Sequence, residues 1–163
     1  MILSQELAKR INALRYEDLP PEAIHWAKIG ILDTVGVTLA GAREDTTTIP
    51  EGVLSFGAGA GAGTSLVFGG NKRVSVLDAA LVNGVAAHAL DFDDCNNTIG
   101  GHPSAPILPA LFALADAVGA SGRDFITAYV AGFETECKIA LGVHFYHYTK
   151  RSEERRVGKE CRL

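Results

Sequence analysis

Apolar positions recur at three- and four-residue steps through most of this 163-residue chain, and almost nowhere at steps of two. That period is the signature of helices with one buried face. After Ser4, the residues Leu7, Ile11 and Leu14 begin the pattern. Pro20-Pro21 stops the chain and restarts it, because proline suits a first helical turn. From Glu22 to Ala40 the stripe Ile24, Ala27, Ile31, Val35 and Leu39 predicts a long helix, with Gly41 as its stop. A polar break at Thr46-Thr47-Thr48 precedes a predicted helix over Ile49 to Phe56. The alternating run Gly57 to Gly63 carries four glycines, too many for a helix, and predicts a flexible loop. Ser65 to Phe68, followed by Gly69-Gly70, predicts a short strand and turn.

Ser75 to Leu90 predicts a helix whose Ala79, Ala80, Gly84 and Ala87 permit close approach by a neighbour. Residues 91–103 are irregular and polar. Ser104 to Val118 predicts a helix that tolerates Pro106 near its start and bends at Pro109. Ser121 to Val143 predicts the last, with Phe125, Ala128, Ala131, Gly132 and Thr135 along one side. The expected fold class is therefore all-α, a helical bundle-like domain.

Composition narrows the function. With 47% hydrophobic residues and a mean hydropathy of +0.15, the chain suits one folded domain rather than a disordered one. A formal charge of −4 argues against a nucleic-acid partner. Charged or polar residues interrupt every apolar stretch within a few turns, so no membrane span is expected. The start lacks the basic and apolar regions of a secretory signal, and Cys95, Cys137 and Cys161 have neither paired nor zinc-type spacing. The expected setting is reducing and cytoplasmic.

Residues 151–163 differ in kind. They hold five of the fifteen Lys/Arg and three of the nineteen Asp/Glu, so the rest carries ten bases against sixteen acids, a net of −6. Read back into codons, Arg151 to Cys161 resembles the translation of a common sequencing-library adapter. The other reading is a solvated basic terminus. Residues 1–150 are expected to be the domain, and 151–163 an adapter-derived tail of non-native origin.

The densest chemistry runs from His88 through Asp91, Asp93, Asp94 and Cys95 to His102, where one predicted helix ends and another begins. His88 and Asp91 are three apart, as are Asp91 and Asp94, so each pair could share one helical face. A folded-back loop brings His102 beside them, and a carboxylate can set a histidine's tautomer and raise its basicity. Solvated acids and a turn histidine are the plainer reading. A metal site is the third, although the spacing fits no standard ligand pattern. The glycine run fails as a phosphate loop, lacking a preceding strand and a following helix. Asp93-Asp94 also lacks the third carboxylate of an Asp-rich magnesium motif. His25 reads as a partly exposed helical residue, and Cys137 as a small core residue. Cys95 has no activating base beyond the loop's histidines, and no Ser/His/Asp or Cys/His nucleophile system can be assembled. His144, Tyr146, His147 and Tyr148 either line a pocket or follow the last helix onto the surface.

Four blocks carry a resemblance in order and spacing: Leu32 to Gly41, Asn83 to Asp94, Gly101 to Ala110, and Ala128 to Thr135. Over residues 3–150 the chain resembles the MmgE/PrpD family, which includes 2-methylcitrate dehydratase of propionate metabolism, cis-aconitate decarboxylase and an iminodisuccinate epimerase. The resemblance implies the front of a two-domain, mostly homodimeric lyase of small polycarboxylates. Its large helical domain joins an α+β lid domain, absent here, and it uses no metal or organic cofactor. It also implies that Asp91 and His102 are catalytic; neither is expected to lie in the core, so replacing them should change stability little. The family usually has threonine directly after Asp-Phe-Asp-Asp. Cys95 stands at that substrate-binding place, and Thr98 is a looser substitute. His144 to Lys150 resembles the lead-in to a further active-site histidine, and the later lysines of the family are missing. The fragment alone is therefore expected to be inactive. The alternatives are a non-catalytic helical binding or scaffold domain, and a metal-assisted hydrolase using His88, Asp91, Asp93, Asp94 and His102.

Overall fold

The computed structural model describes residues 2–57, 63–97 and 99–143. Much of the glycine run, Thr98, the His144–Tyr148 cluster and residues 151–163 lie outside the described residues. Among the described residues six α-helices carry the fold: α1 (Leu3–Ala13), α2 (Pro21–Gly41), α3 (Asp45–Gly57), α4 (Val76–His88), α5 (Ser104–Val118) and α6 (Gly122–Val143). The all-α expectation holds, and no described helix is long and apolar enough to cross a membrane.

Local chemistry explains most of the boundaries. Pro21 occupies the first turn of α2. Ser75 caps α4 by accepting from the Asp78 amide at 3.2 Å. Ser121 and Asp124 exchange bonds that start α6, and Gly119, at φ 65°, ends α5. Asp94 caps α5 from the preceding loop, accepting from the Ser104 amide at 3.1 Å and the Ser104 hydroxyl at 2.6 Å. Pro109 is buried within an uninterrupted α5.

One helix starts earlier than the pattern suggests. The threonine run is the first turn of α3, which opens at Asp45. The buried Thr47 hydroxyl donates to the Gly41 carbonyl at 2.9 Å, tying α3 to the end of α2. A polar residue there seals a helix joint, so it reads as a break only when the joint is unseen.

The expected strand is real but short. Strand β1 (Ser65–Leu66) pairs antiparallel with β2 (Arg73–Val74), matching Ser65 to Val74 and Leu66 to Arg73. The buried Asn83 of α4 holds this ribbon, donating to the Leu66 carbonyl and accepting from the Phe68 amide, both at 2.9 Å. Asp116 of α5 holds its other side through the Leu66 amide and Arg73.

Helix α4 lies between α2 and α5. Its buried face is Ala79, Val82, Asn83, Ala86 and Ala87, as its small residues predict. The core proper joins Ala27, Leu108 and Tyr129, with Ile31, Ile107, Phe125 and Phe133 packed around them. Helix α2 departs from its aliphatic stripe. Its buried residues are Ala27, Thr34, Thr38 and Gly41, while Leu39 is 52% exposed. Close packing on α4 favours short side chains there, and the Thr38 hydroxyl bonds within its own helix to the Thr34 carbonyl at 2.6 Å.

Gly41 marks the closest approach, since a Cβ at that position would run into the Ala86 carbonyl of α4. Gly41→Ala is therefore expected to cost about 1–3 kcal/mol, as core overpacking does. Gly36, on the same helix, faces open space. Gly36→Ala should stabilise by about 0.5–1 kcal/mol. Urea unfolding of both variants beside the parent chain checks the two signs.

Candidate active site

The loop from Ala89 to Pro103 joins α4 to α5 and folds back on itself. The Asn96 amide donates to the Gly101 carbonyl at 2.9 Å, and the Gly100 amide donates to the Asn96 carbonyl at 2.9 Å. Gly100 adopts φ 67°, a conformation that glycine takes without steric cost. This turn returns His102 to the end of α4.

There it meets His88, the last residue of that helix. The rings sit edge to face with centroids 4.7 Å apart. Asp93 lies against both imidazoles with its side chain fully buried (0% exposed). His88 Nδ1 faces the two Asp93 carboxylate oxygens at 2.9 and 3.1 Å. His102 Nδ1 is 3.4 Å from Asp93 Oδ2, within ion-pair range. It is off the line that a hydrogen bond needs, so this buried nitrogen has no hydrogen-bond partner. His102 Nε2 is 3.4 Å from Asp91 Oδ1. Asp91 takes a left-handed φ of 55°, which short polar side chains tolerate better than most.

The loop thus brings Asp91 and His102 together, as expected, and adds His88 and Asp93. The expectation that His88 and Asp91, and Asp91 and Asp94, share one helical face does not hold. Helix α4 ends at His88, so the three-residue spacing no longer places these groups on one face. Asp91 and Asp93 face opposite ring nitrogens of His102 across a bent segment, an arrangement that no regular spacing announces. Cys95 is exposed and takes no part in the histidine–aspartate contacts.

Asp94 serves the frame instead. Besides capping α5, it meets a buried chain in which the Ser104 hydroxyl lies 2.6 Å from the Tyr129 hydroxyl. Burial raises the Tyr129 pKa above its ordinary 10.0; the Ser104 bond lowers it in part, and the Asp94 charge raises it further. Glu136, on the facing helix, is also pushed up by burial and then by Asp94. Cys137 is raised chiefly by burial, which leaves it an inert thiol.

Both histidines open onto a cleft of 1530 Å³ between α4, α5 and α6. Its walls include Gly84, Ala105, Gly132 and Glu136, and small residues on three helices keep it wide. Among the described residues no Lys or Arg lines it. Among the described residues the site has acid–base groups and no cationic side chain to clamp an anion.

The MmgE/PrpD N-terminal domain matches residues 5–154. The chain belongs to the MmgE/PrpD family. This MmgE/PrpD domain is 32% identical over 149 residues to cis-aconitate decarboxylase of Homo sapiens, covering 88% of this chain and 30% of that protein. It is 30% identical over 158 residues to the Mus musculus enzyme of the same name, covering 93% and 30%. A cis-aconitate decarboxylase-like protein of Aspergillus oryzae is 28% identical over 158 residues, covering 87% and 30%. The chain therefore spans about 30% of the length of the curated relatives it matches.

The buried Tyr129 gives the domain a measurable pH signature. Because its folded pKa is raised, its contribution to stability is fully present below about pH 10 and is lost as pH climbs through the folded value. Tyr129→Phe should lower stability near neutral pH by about 1 kcal/mol, through the lost hydrogen bond. It should also flatten the fall above pH 10. Denaturant unfolding across a pH series measures both effects.

Proposed function

We propose that the loop between α4 and α5 is the proton-transfer part of a lyase site for small polycarboxylates, with Asp91 and His102 as its catalytic residues. The observation that carries this reading is the contact of His102 with Asp91 on one ring nitrogen and Asp93 on the other, at the mouth of a cleft. A histidine held between two carboxylates is a base or acid of fixed orientation. The names of the relatives favour cis-aconitate as substrate over 2-methylcitrate.

The chemistry suits the groups present. Decarboxylation of cis-aconitate breaks one C–CO₂ bond, and that electron pair becomes a new C=C. The displaced π pair takes a proton at the far carbon. Protonated His102 supplies that proton, and Asp91 stabilises the charged ring beforehand. Dehydration of a related hydroxy acid would use the same pair to remove a proton.

The substrate's carboxylates need cations, which the cleft's described lining does not offer and which residues 1–150, at −6, do not favour. Those cations are proposed to come from the part of the family's length that this chain does not span. Residues 1–150 act as the domain in this reading, and 151–163 take no part in it. Cys95 and Thr98 are weaker candidates for holding substrate.

The 163-residue chain is accordingly expected to give no turnover of cis-aconitate. In a chain extended to family length, Asp91→Asn and His102→Gln should each lower kcat on the order of a hundredfold. Asp91 is 76% exposed, so its variant should melt near the parent. His102 is only 26% exposed against Asp93, so its variant should melt somewhat lower. Steady-state kinetics with melting curves separates loss of chemistry from loss of fold. Near-normal kcat in both folded variants would reduce the loop to a helix connection.

A further inference from the structure

We propose that His88, Asp91, Asp93 and His102 form a binding site for one divalent transition-metal ion of the zinc type. Each residue offers one ligand atom, and the four atoms lie within 4.8 Å of one another. A tetrahedral ion with bonds of about 2.0–2.1 Å holds its ligand atoms about 3.3 Å apart. His88 Nδ1 and His102 Nδ1 lie 3.1 and 3.4 Å from the same oxygen, Asp93 Oδ2. Two edges of the polyhedron are therefore already near their bonded length.

The remaining closure falls on Asp91, whose side chain is 76% exposed and can swing inward without disturbing the core. The buried Asp93 and the partly buried His102 provide the fixed half at the root of the loop. A second observation points to the same centre: His102 Nδ1 is buried and makes no hydrogen bond, although it lies 3.4 Å from Asp93 Oδ2. Charge agrees as well. Two carboxylates and two neutral imidazoles carry −2, which one divalent ion cancels. A mixed imidazole and carboxylate set suits zinc and its neighbours, whereas magnesium and calcium prefer oxygen alone.

The ion is an occupant that competes with proton transfer. Bound metal takes the imidazole lone pairs that an acid or base must use, so zinc would inhibit turnover. That consequence rests on the role proposed for His102; the binding itself does not.

The test uses the purified 163-residue chain in equilibrium dialysis against Zn²⁺, with Co²⁺ absorption as a second probe. One equivalent of Zn²⁺ should bind, and Co²⁺ should show tetrahedral visible bands without a thiolate charge-transfer band. His88→Gln and Asp91→Asn, both at exposed positions, should each weaken binding at least about tenfold. Cys95→Ser, and a variant with His144 and His147 both changed to Gln, should bind as the parent does. The proposal is overturned by no stoichiometric binding, by unchanged affinity in the first two variants, or by loss of binding in either of the last two. Zinc binding in a protein whose His102 proves dispensable for turnover sustains the site and removes only the inhibition.

Discussion

A carboxylate stripped of water is among the most expensive groups a protein can bury, and Asp93 is one, with its side chain fully enclosed. An uncompensated charge of this kind costs several kcal/mol, so its partners must be in place for the loop to hold its shape. The partners are the imidazoles of His88 and His102, one at the end of α4 and one just before α5. Much else near the loop serves that meeting. Helix α4 stops at His88, Asp91 accepts a left-handed backbone, and the turn at Gly100 brings His102 back. The catalytic reading and the metal reading draw on the same constraint, because both need the two imidazoles held against the buried Asp93 carboxylate.

The helices supply a stiff frame for it. Short side chains on α2 and α4 bring those two helices close, and the glycine at the end of α2 admits the backbone of α4. Asp94, next to Asp93, is spent on a different task. It caps α5 and, through Ser104, reaches Tyr129 in the core. Adjacent aspartates thus divide the work: one orients the histidines, and the other locks the following helix to the domain. A loop anchored at both ends by rigid elements keeps its groups in register.

Helix class and most helix positions were legible from periodicity, because an amphipathic helix repeats its chemistry every three or four residues. Ser104–Val118 coincides with α5 at both ends. The failures came where polar groups do structural work. Thr46 to Thr48 read as a break, yet Thr47 closes the joint between α2 and α3. Thr34 and Thr38 hold the buried face assigned to Val35 and Leu39, because tight packing selects short side chains over apolar ones. At the site, Asp91 and His102 were legible as neighbours, through the density of ionisable residues and the family resemblance. The central place of Asp93 was not, since it depends on where α4 ends and how the loop turns back. Tyr129 stood in the last block of the resemblance, but its link to Ser104 crosses two helices and leaves no local pattern.

Among the described residues the cleft wall carries acid–base groups and no Lys or Arg, which in the proposed reading makes it half of a site for a polyanion. We propose that the missing charge lies elsewhere in a family-length protein and that the substrate is turned over at the loop. A crystal structure of a family-length enzyme with a non-reacting tricarboxylate bound tests this most directly. It should place a ligand carbon about 3–3.5 Å from a ring nitrogen of His102, with Asp93 still buried behind the ring and Lys or Arg on the carboxylates. A ligand lodged away from the loop, with His102 turned from it, would contradict the account.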